Sequence, residues 1–179
     1  MEWINQPAQW SEAGGMLTVL AETGTDFWRT THYGFIRNNG HVYGAEMHGN
    51  FDMSLRFRGR YTEQYDQAGA MVRVDEKHWL KTGIEYVDGR KRFSIVATLE
   101  YSSWFVADLP ADAAELSLLL VRRGDSVEIS YGVDEGEKQL AGVVYLPPGQ
   151  AAFAGAMCAA PDGGGFEVTF HDLVITPVA

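Results

Sequence analysis

Gln67, Arg73, Lys81 and Glu85 are the residues whose types and spacing best suit surface chemistry. They lie on two neighbouring runs that alternate apolar and polar positions. In the first run Ala68, Ala70 and Val72 form the apolar set, which turns Gln67, Met71 and Arg73 to the opposite side. In the second, Leu80, Ile84 and Tyr86 form the apolar set, which turns Trp79, Lys81 and Glu85 outward. Both polar sets share one face if the runs are adjacent strands and their connection carries an odd offset or a bulge. Amide, guanidinium, ammonium and carboxylate groups so placed match the donors and acceptors of hydroxyls, and Trp79 adds a stacking plane. Arg73 and Lys81 together also suit a phosphate or carboxylate. The plainer reading is an ion-pair ladder in which Glu85 neutralises Arg73 or Lys81 on a solvated sheet.

A second candidate is the run from Asp26 to Phe35, where Phe27, Trp28, Tyr33 and Phe35 are interleaved with Asp26, Arg29 and His32. Phe27 and Phe35 read as buried strand residues. Trp28, Arg29 and Tyr33 remain open as the end wall of a cleft, so Arg29 and Tyr33 join the ligand-binding candidates.

No catalytic constellation stands out. There is no Gly-x-Ser-x-Gly elbow, and Gly163-Gly164-Gly165 lies between strand patterns with no helix to follow, so it reads as a turn and not a phosphate cradle. Glu85 and Asp88 have the wrong period to share a strand face. Asp66 and Glu85 could still converge across strands as an acid pair. The five histidines, His32, His41, His48, His78 and His171, form no metal-ligand spacing, although His41 and His48 could meet across a hairpin. Asp26, Asn38, Asn39 and Asp66 have the oxygen chemistry calcium uses, but solvated turns use it too. The expectation is no resident metal, no cofactor and no catalytic residue.

The elements that must hold these residues are strands. Phe51, Met53, Leu55 and Phe57 alternate with polar residues, as do Phe93, Ile95 and Ala97, then Leu116, Leu118 and Leu120, then Val127, Ile129 and Tyr131, then Phe166, Val168 and Phe170. Asn39-Gly40, Asp88-Gly89, Gly124-Asp125 and Pro147-Pro148-Gly149 punctuate them with turn chemistry. One turn of helix after Pro110, over Ala111–Glu115, is the best helical candidate. The pattern predicts one all-β domain over residues 1–179, a two-sheet sandwich.

Composition narrows the partners. A formal net charge of −10 opposes nucleic acid and anionic membrane surfaces. The single cysteine, Cys158, allows no internal disulfide and sits among small apolar residues, so it reads as buried. Met1–Ser11 has no leader pattern and no run is long enough to span a bilayer, which points to a cytoplasmic protein.

Three segments carry a likeness to a known family. They are Thr25–His41, with Asp26-Phe27-Trp28-Arg29 and Asn38-Asn39-Gly40 within it; Tyr65–Arg73 with the following Trp79–Glu85; and Met157–Pro161 leading to Gly165–Phe170. Together the chain resembles the uncharacterised "regulation of enolase" family, a domain of unknown function in the concanavalin A-like superfamily. The resemblance implies a jelly-roll β-sandwich and hints at a regulatory role in sugar metabolism. Glucan hydrolases of that fold place acids as Glu-x-Asp-x-(x)-Glu on one strand face, a pattern this chain lacks. Fold analogy and the polar face together suggest a carbohydrate or sugar-phosphate-like ligand. Two rival functions stand beside it: a protein-interaction module, which an exposed sheet edge or apolar patch would favour, and a hydrolase with an atypical acid pair. A monomer or a homodimer through sheet edges is compatible with either.

Overall fold

The computed structural model describes residues 1–178, and strands are the regular elements among them. In chain order they are β1 (Glu2–Ile4), β2 (Trp10–Ala13), β3 (Met16–Ala21), β4 (Phe27–Arg29), β5 (Ile36–Asn38), β6 (His41–Met47), β7 (Asn50–Gly59) and β8 (Gln67–Arg73). Then follow β9 (His78–Val87), β10 (Arg90–Leu99), β11 (Tyr101–Asp108), β12 (Leu116–Arg123), β13 (Ser126–Val133), β14 (Gln139–Tyr145), β15 (Ala152–Ala159) and β16 (Phe166–Val178). The expected helical turn at Ala111–Glu115 is a simple turn leading into β12. One turn holds too few intrahelical hydrogen bonds to persist without a packed face.

Two seven-stranded antiparallel sheets pack face to face as a concanavalin A-like jelly-roll sandwich. The first runs β1-β6-β15-β8-β9-β10-β11, the second β14-β13-β12-β7-β16-β3-β2. Alternation decides the core: Phe51, Met53, Leu55, Phe57, Leu116, Leu118, Leu120, Val168 and Phe170 face inward from the second sheet, and Ala68, Ala70, Val72, Leu80 and Ile84 from the first. The small residues of β8 and β15 let the sheets approach, and Cys158 is buried among them, its thiol pushed up by desolvation. Asp88 and Gly89, both at positive φ, close the two-residue turn between Val87 and Arg90 that their sequence demands.

The first sheet has a second buried layer on its outer face. The hairpin β4–β5 lies across it, and Phe27 and Trp28 pack with Met71, Trp79, Val96 and Met157. The hairpin tip is strained: Thr30 and His32 both hold φ near +64°, a conformation that costs a β-branched residue on the order of 1–3 kcal/mol. Thr30 N donates to Phe35 O and Gly34 N to Thr30 O, each at 2.7 Å, which holds the tip closed.

Beneath the hairpin β8 and β9 pair in unbroken register, Gln67 opposite Glu85, Met71 opposite Lys81 and Arg73 opposite Trp79. Residues 74–78 separate the last pair, so an odd connection aligns the polar sets without a bulge. Midway, Gly69 faces Gly83. A Cβ on Gly69 would stand 2.0 Å from the Thr82 carbonyl oxygen and 2.7 Å from Gly83 Cα. Alanine there forces the strands apart, so Gly69→Ala is expected to cost about 1–3 kcal/mol in urea denaturation. Gly164→Ala, where a Cβ meets nothing within 4 Å, should stay within about 0.5 kcal/mol of the parent.

Candidate functional site

The missing side chains at Gly69 and Gly83 leave a gap in the outer face, and the long polar side chains on either side bend over it. Lys81 Nζ reaches Gln67 Oε1 at 2.5 Å and Asp26 Oδ1 at 3.0 Å. Asp26 comes from the segment entering β4, and its Oδ1 also accepts from Phe27 N at 2.8 Å and Gln67 Nε2 at 3.3 Å. Glu85 leans the other way: its Oε2 accepts from Ser94 Oγ and from Trp104 Nε1, both at 2.8 Å. Asp26, Gln67, Lys81 and Glu85 are all buried, yet all four line one open cavity of about 260 Å³. They form its polar floor.

Aromatic rings form the walls. On the hairpin side Trp28 meets Tyr33 edge-on at 5.4 Å, Tyr33 stacks on Phe35 at 5.7 Å, and the Arg37 guanidinium lies 4.8 Å above the Phe35 ring. Opposite them Tyr65 packs edge-on to Trp104 at 6.3 Å. The two walls meet at the mouth, where the Tyr33 and Tyr65 hydroxyls are 3.3 Å apart. That hydrogen bond, with burial second, pushes the Tyr33 phenol up to about 12. Asp162 and Pro161 complete the rim.

The structure divides the residues singled out by sequence. Gln67, Lys81 and Glu85 are floor residues and Tyr33 is wall. Trp79, read from sequence as a stacking plane, is 1% exposed and lies beneath Phe27 at 6.1 Å, closed off from any ligand. Arg73 and Arg29 are also corrected: neither lines the cavity. Arg73 Nη1 donates to Asn38 Oδ1 at 2.8 Å, and Arg29 Nε donates to Glu100 O at 3.1 Å. These three residues fasten the hairpin that walls the site. Phe35, expected in a buried strand, is a cavity wall.

Sequence reasoning left Arg37 and Tyr65 off its list of binding residues, and with them Asp26 and Trp104, whose place in the site is the least local. Nothing local links them to β8 and β9, because Asp26 arrives on a hairpin folded back over the sheet and Trp104 lies two strands away, opposite Val96. Gly69 and Gly83 were the available signal, since paired glycines on adjacent strands mark a place where the sheet face is bare.

An Asp66–Glu85 acid pair fails on geometry. Asp66 is sealed off from solvent, and its Oδ2 caps the turn through Thr62 N and Glu63 N, both at 3.0 Å. It lines no part of the cavity and cannot serve as the acid partner of Glu85 there. Asn38, Asn39 and Asp26 each have a side-chain oxygen committed to a protein donor. Among the described residues no group of three or more His, Cys, Asp or Glu side chains is placed to hold a metal ion.

Burial pushes the Glu85 carboxyl up from its ordinary value, against the opposing pull of Lys81 and the Ser94 bond. A carboxyl raised in the folded state stabilises the fold below the unfolded-state value, and that contribution is lost as pH rises through the folded value. Glu85→Gln keeps an acceptor for Ser94 and Trp104 without the charge. Its melting temperature should therefore match the parent near pH 4 and exceed it increasingly toward pH 8, by about 2–4 °C for each kcal/mol.

Known proteins share this sequence and this fold. The chain is 36% identical to "Regulation of enolase protein 1" of Saccharomyces cerevisiae over 174 residues, 97% of this chain and 88% of that one. It superposes on the crystal structure of a functionally unknown protein from Saccharomyces cerevisiae with a TM-score of 0.93 and 35% identity, covering 99% and 97% of the two chains. The GH43 protein BlXynB from Bacillus licheniformis, in its K247S mutant, shares the fold at a TM-score of 0.73 and 14% identity, with 97% of this chain lying on 36% of that one. Residues 3–178 match the family model described as "Protein of unknown function (DUF1349)", and the chain belongs to that family.

Proposed function

We propose that the cavity binds a neutral carbohydrate, either a single sugar ring or the terminal ring of a glycan, and that the protein is a cytoplasmic binding domain and not an enzyme. The observation that carries this is the combination of a buried Asp26–Lys81–Gln67–Glu85 floor with aromatic walls. Carboxylate and amide oxygens accept from sugar hydroxyls, the remaining Lys81 proton donates to one, and Trp28, Tyr33 and Trp104 offer apolar faces to the ring's C–H surface.

Charge narrows the ligand from the wider carbohydrate or sugar-phosphate class. Arg73 is turned away to Asn38, and the Lys81 charge is already matched by Asp26. A phosphate reaching the floor would meet Asp26 and Glu85 with the Lys81 charge already matched, which disfavours it there, and the Arg37 guanidinium on the wall is the other cation lining the cavity. Size narrows it further. The hairpin lies over the sheet face and the Tyr33–Tyr65 contact spans the mouth, so a chain crossing the face has no through-groove.

A second reading, a protein-interaction module, also has an observation behind it. The β11 and β14 margins of the sandwich expose large apolar side chains, including Phe105 and Leu140, each at 62%. The two readings use different surfaces and are compatible.

The test is a thermal-shift panel of neutral monosaccharides, short oligosaccharides and sugar phosphates. A neutral sugar at about 100 times its dissociation constant adds about 2.7 kcal/mol, which raises the melting temperature by about 5–10 °C. Tyr33→Ala removes one wall while leaving the floor, and should weaken binding by about tenfold, the worth of roughly 1.4 kcal/mol. Stabilisation by sugar phosphates in preference to neutral sugars, or by no member of the panel, would overturn the assignment.

A further inference from the structure

Strand β12 turns alternate residues to the core, Leu116, Leu118 and Leu120, and the next member of that series is Arg122. The register seats Arg122 between Phe51 on β7 and Val127 on β13, both fully buried. Arg122 is itself only 3% exposed. Arginine is rarely buried so deeply without an anion beside it, because a guanidinium stripped of water is costly. Lys81, buried to the same degree, has Asp26 at 3.0 Å. Arg122 has no such partner among the described residues. Its Nη2 donates to Pro147 O at 2.8 Å, and its Nη1 has no hydrogen-bond partner. Desolvation lowers its pKa from the ordinary value, with no neighbouring carboxylate to oppose the shift. A buried polar group left unsatisfied in this way calls for an explanation, and a bound ion is one of the few available.

Arg122 lines a cavity of about 270 Å³ at the end of the sandwich where the β6–β7, β12–β13 and β14–β15 connections converge. His48 and Asn50 come from the first connection, Gly124 from the second, and Gly149 and Gln150 from the third. No carboxylate belongs to this lining. Of the acids nearby in sequence, Glu46 lies 3.2 Å from His48, Asp52 lies 2.7 Å from Arg123, and Asp125 is outside the lining. The other polar side chains of the wall are of types that donate. Asn50 Oδ1 accepts from Gly124 N at 2.9 Å, which leaves its amide N–H groups as donors. The Gln150 amide and the His48 imidazole add further N–H groups.

We propose that this cavity binds a small oxyanion, the phosphate or carboxylate group of a ligand, against Arg122. A planar guanidinium matches two oxygens of either group. The anion supplies the counter-charge that Arg122 lacks, as Asp26 does for Lys81. Water in the cavity would meet the N–H groups but would bring no charge. The formal net charge of −10 opposes anions at long range. Salt screens that repulsion beyond about 8–10 Å, whereas a buried guanidinium acts at contact and is screened far less. The local charge of the lining therefore decides, and it is positive.

The proposal does not depend on the sugar-binding reading, because the two cavities share no residue. The test is an NMR titration of the full chain with sodium phosphate and, separately, with sodium acetate, using sodium chloride at matched ionic strength as the control. The expected result is saturable movement of the Gly124, Gly149 and Gln150 backbone amides while the Trp28 and Trp104 indoles stay fixed, so the two cavities are read at different residues. Saturation by phosphate alone assigns a phosphoryl ligand, and saturation by acetate assigns a carboxylate. Arg122→Leu, which continues the apolar series of β12, should weaken the binding at least about tenfold. Gln150→Glu, at an exposed position, adds a carboxylate to the lining and keeps the test open if Arg122→Leu does not fold. It should weaken phosphate or acetate binding by about tenfold as well. Shifts that chloride reproduces, no saturation with either anion, or parent-like binding by a folded variant of either kind would overturn the proposal.

Discussion

The site depends on one interaction, the ion pair between Lys81 on the sheet and Asp26 on the segment that leads into the hairpin. An ammonium group that is nearly sealed against a sheet face is costly unless an anion and further acceptors replace its water. Asp26 at 3.0 Å and Gln67 at 2.5 Å supply both. The pair thereby ties two elements that are 55 residues apart in sequence. Removing either partner would leave a buried charge without its counterpart, a loss on the order of 3–5 kcal/mol. The hairpin cannot leave the sheet without exposing that deficit, so the walls it carries are held in place.

The second constraint is the absence of side chains. Gly69 and Gly83 let β8 and β9 approach closely and clear the space over which Lys81 and Glu85 extend in opposite directions. Lys81 turns toward Asp26 and Gln67, Glu85 toward Ser94 and Trp104. The result is two acidic groups in one cavity with different surroundings. Asp26 accepts three donors on a single oxygen, whereas burial dominates at Glu85 and raises it. Each floor residue keeps its orientation through the protein's own hydrogen bonds, which is the preorganisation that recognition of a small polar ligand requires.

Period-two alternation made the fold legible from sequence. It placed Phe51–Phe57, Leu116–Leu120 and Phe166–Phe170 correctly in the core, and the same logic put Gln67, Lys81 and Glu85 together on the outer face. What alternation cannot show is what covers a face. Trp79 obeys the pattern and points outward, yet the hairpin buries it; Arg73 does the same and is spent on Asn38. Asp26 and Trp104 were invisible as partners because the contacts that give them meaning are set by tertiary folding and not by spacing along a strand. The resemblance to a known family agreed with the fold, and the family itself is described only as one of unknown function. The functional reading therefore rests on the cavity's own chemistry.

The five tryptophans offer the most direct test of the central claim. Trp28 and Trp104 line the cavity, Trp79 lies beneath the hairpin, and Trp3 and Trp10 close the opposite margin. Indole N–H resonances followed by NMR during titration with a neutral sugar separate these environments in one experiment. The account predicts that Trp104 and Trp28 shift together and saturably while Trp3 and Trp10 stay fixed. Shifts confined to Trp3 and Trp10, or a bound sugar that leaves Trp104 unmoved, would contradict it.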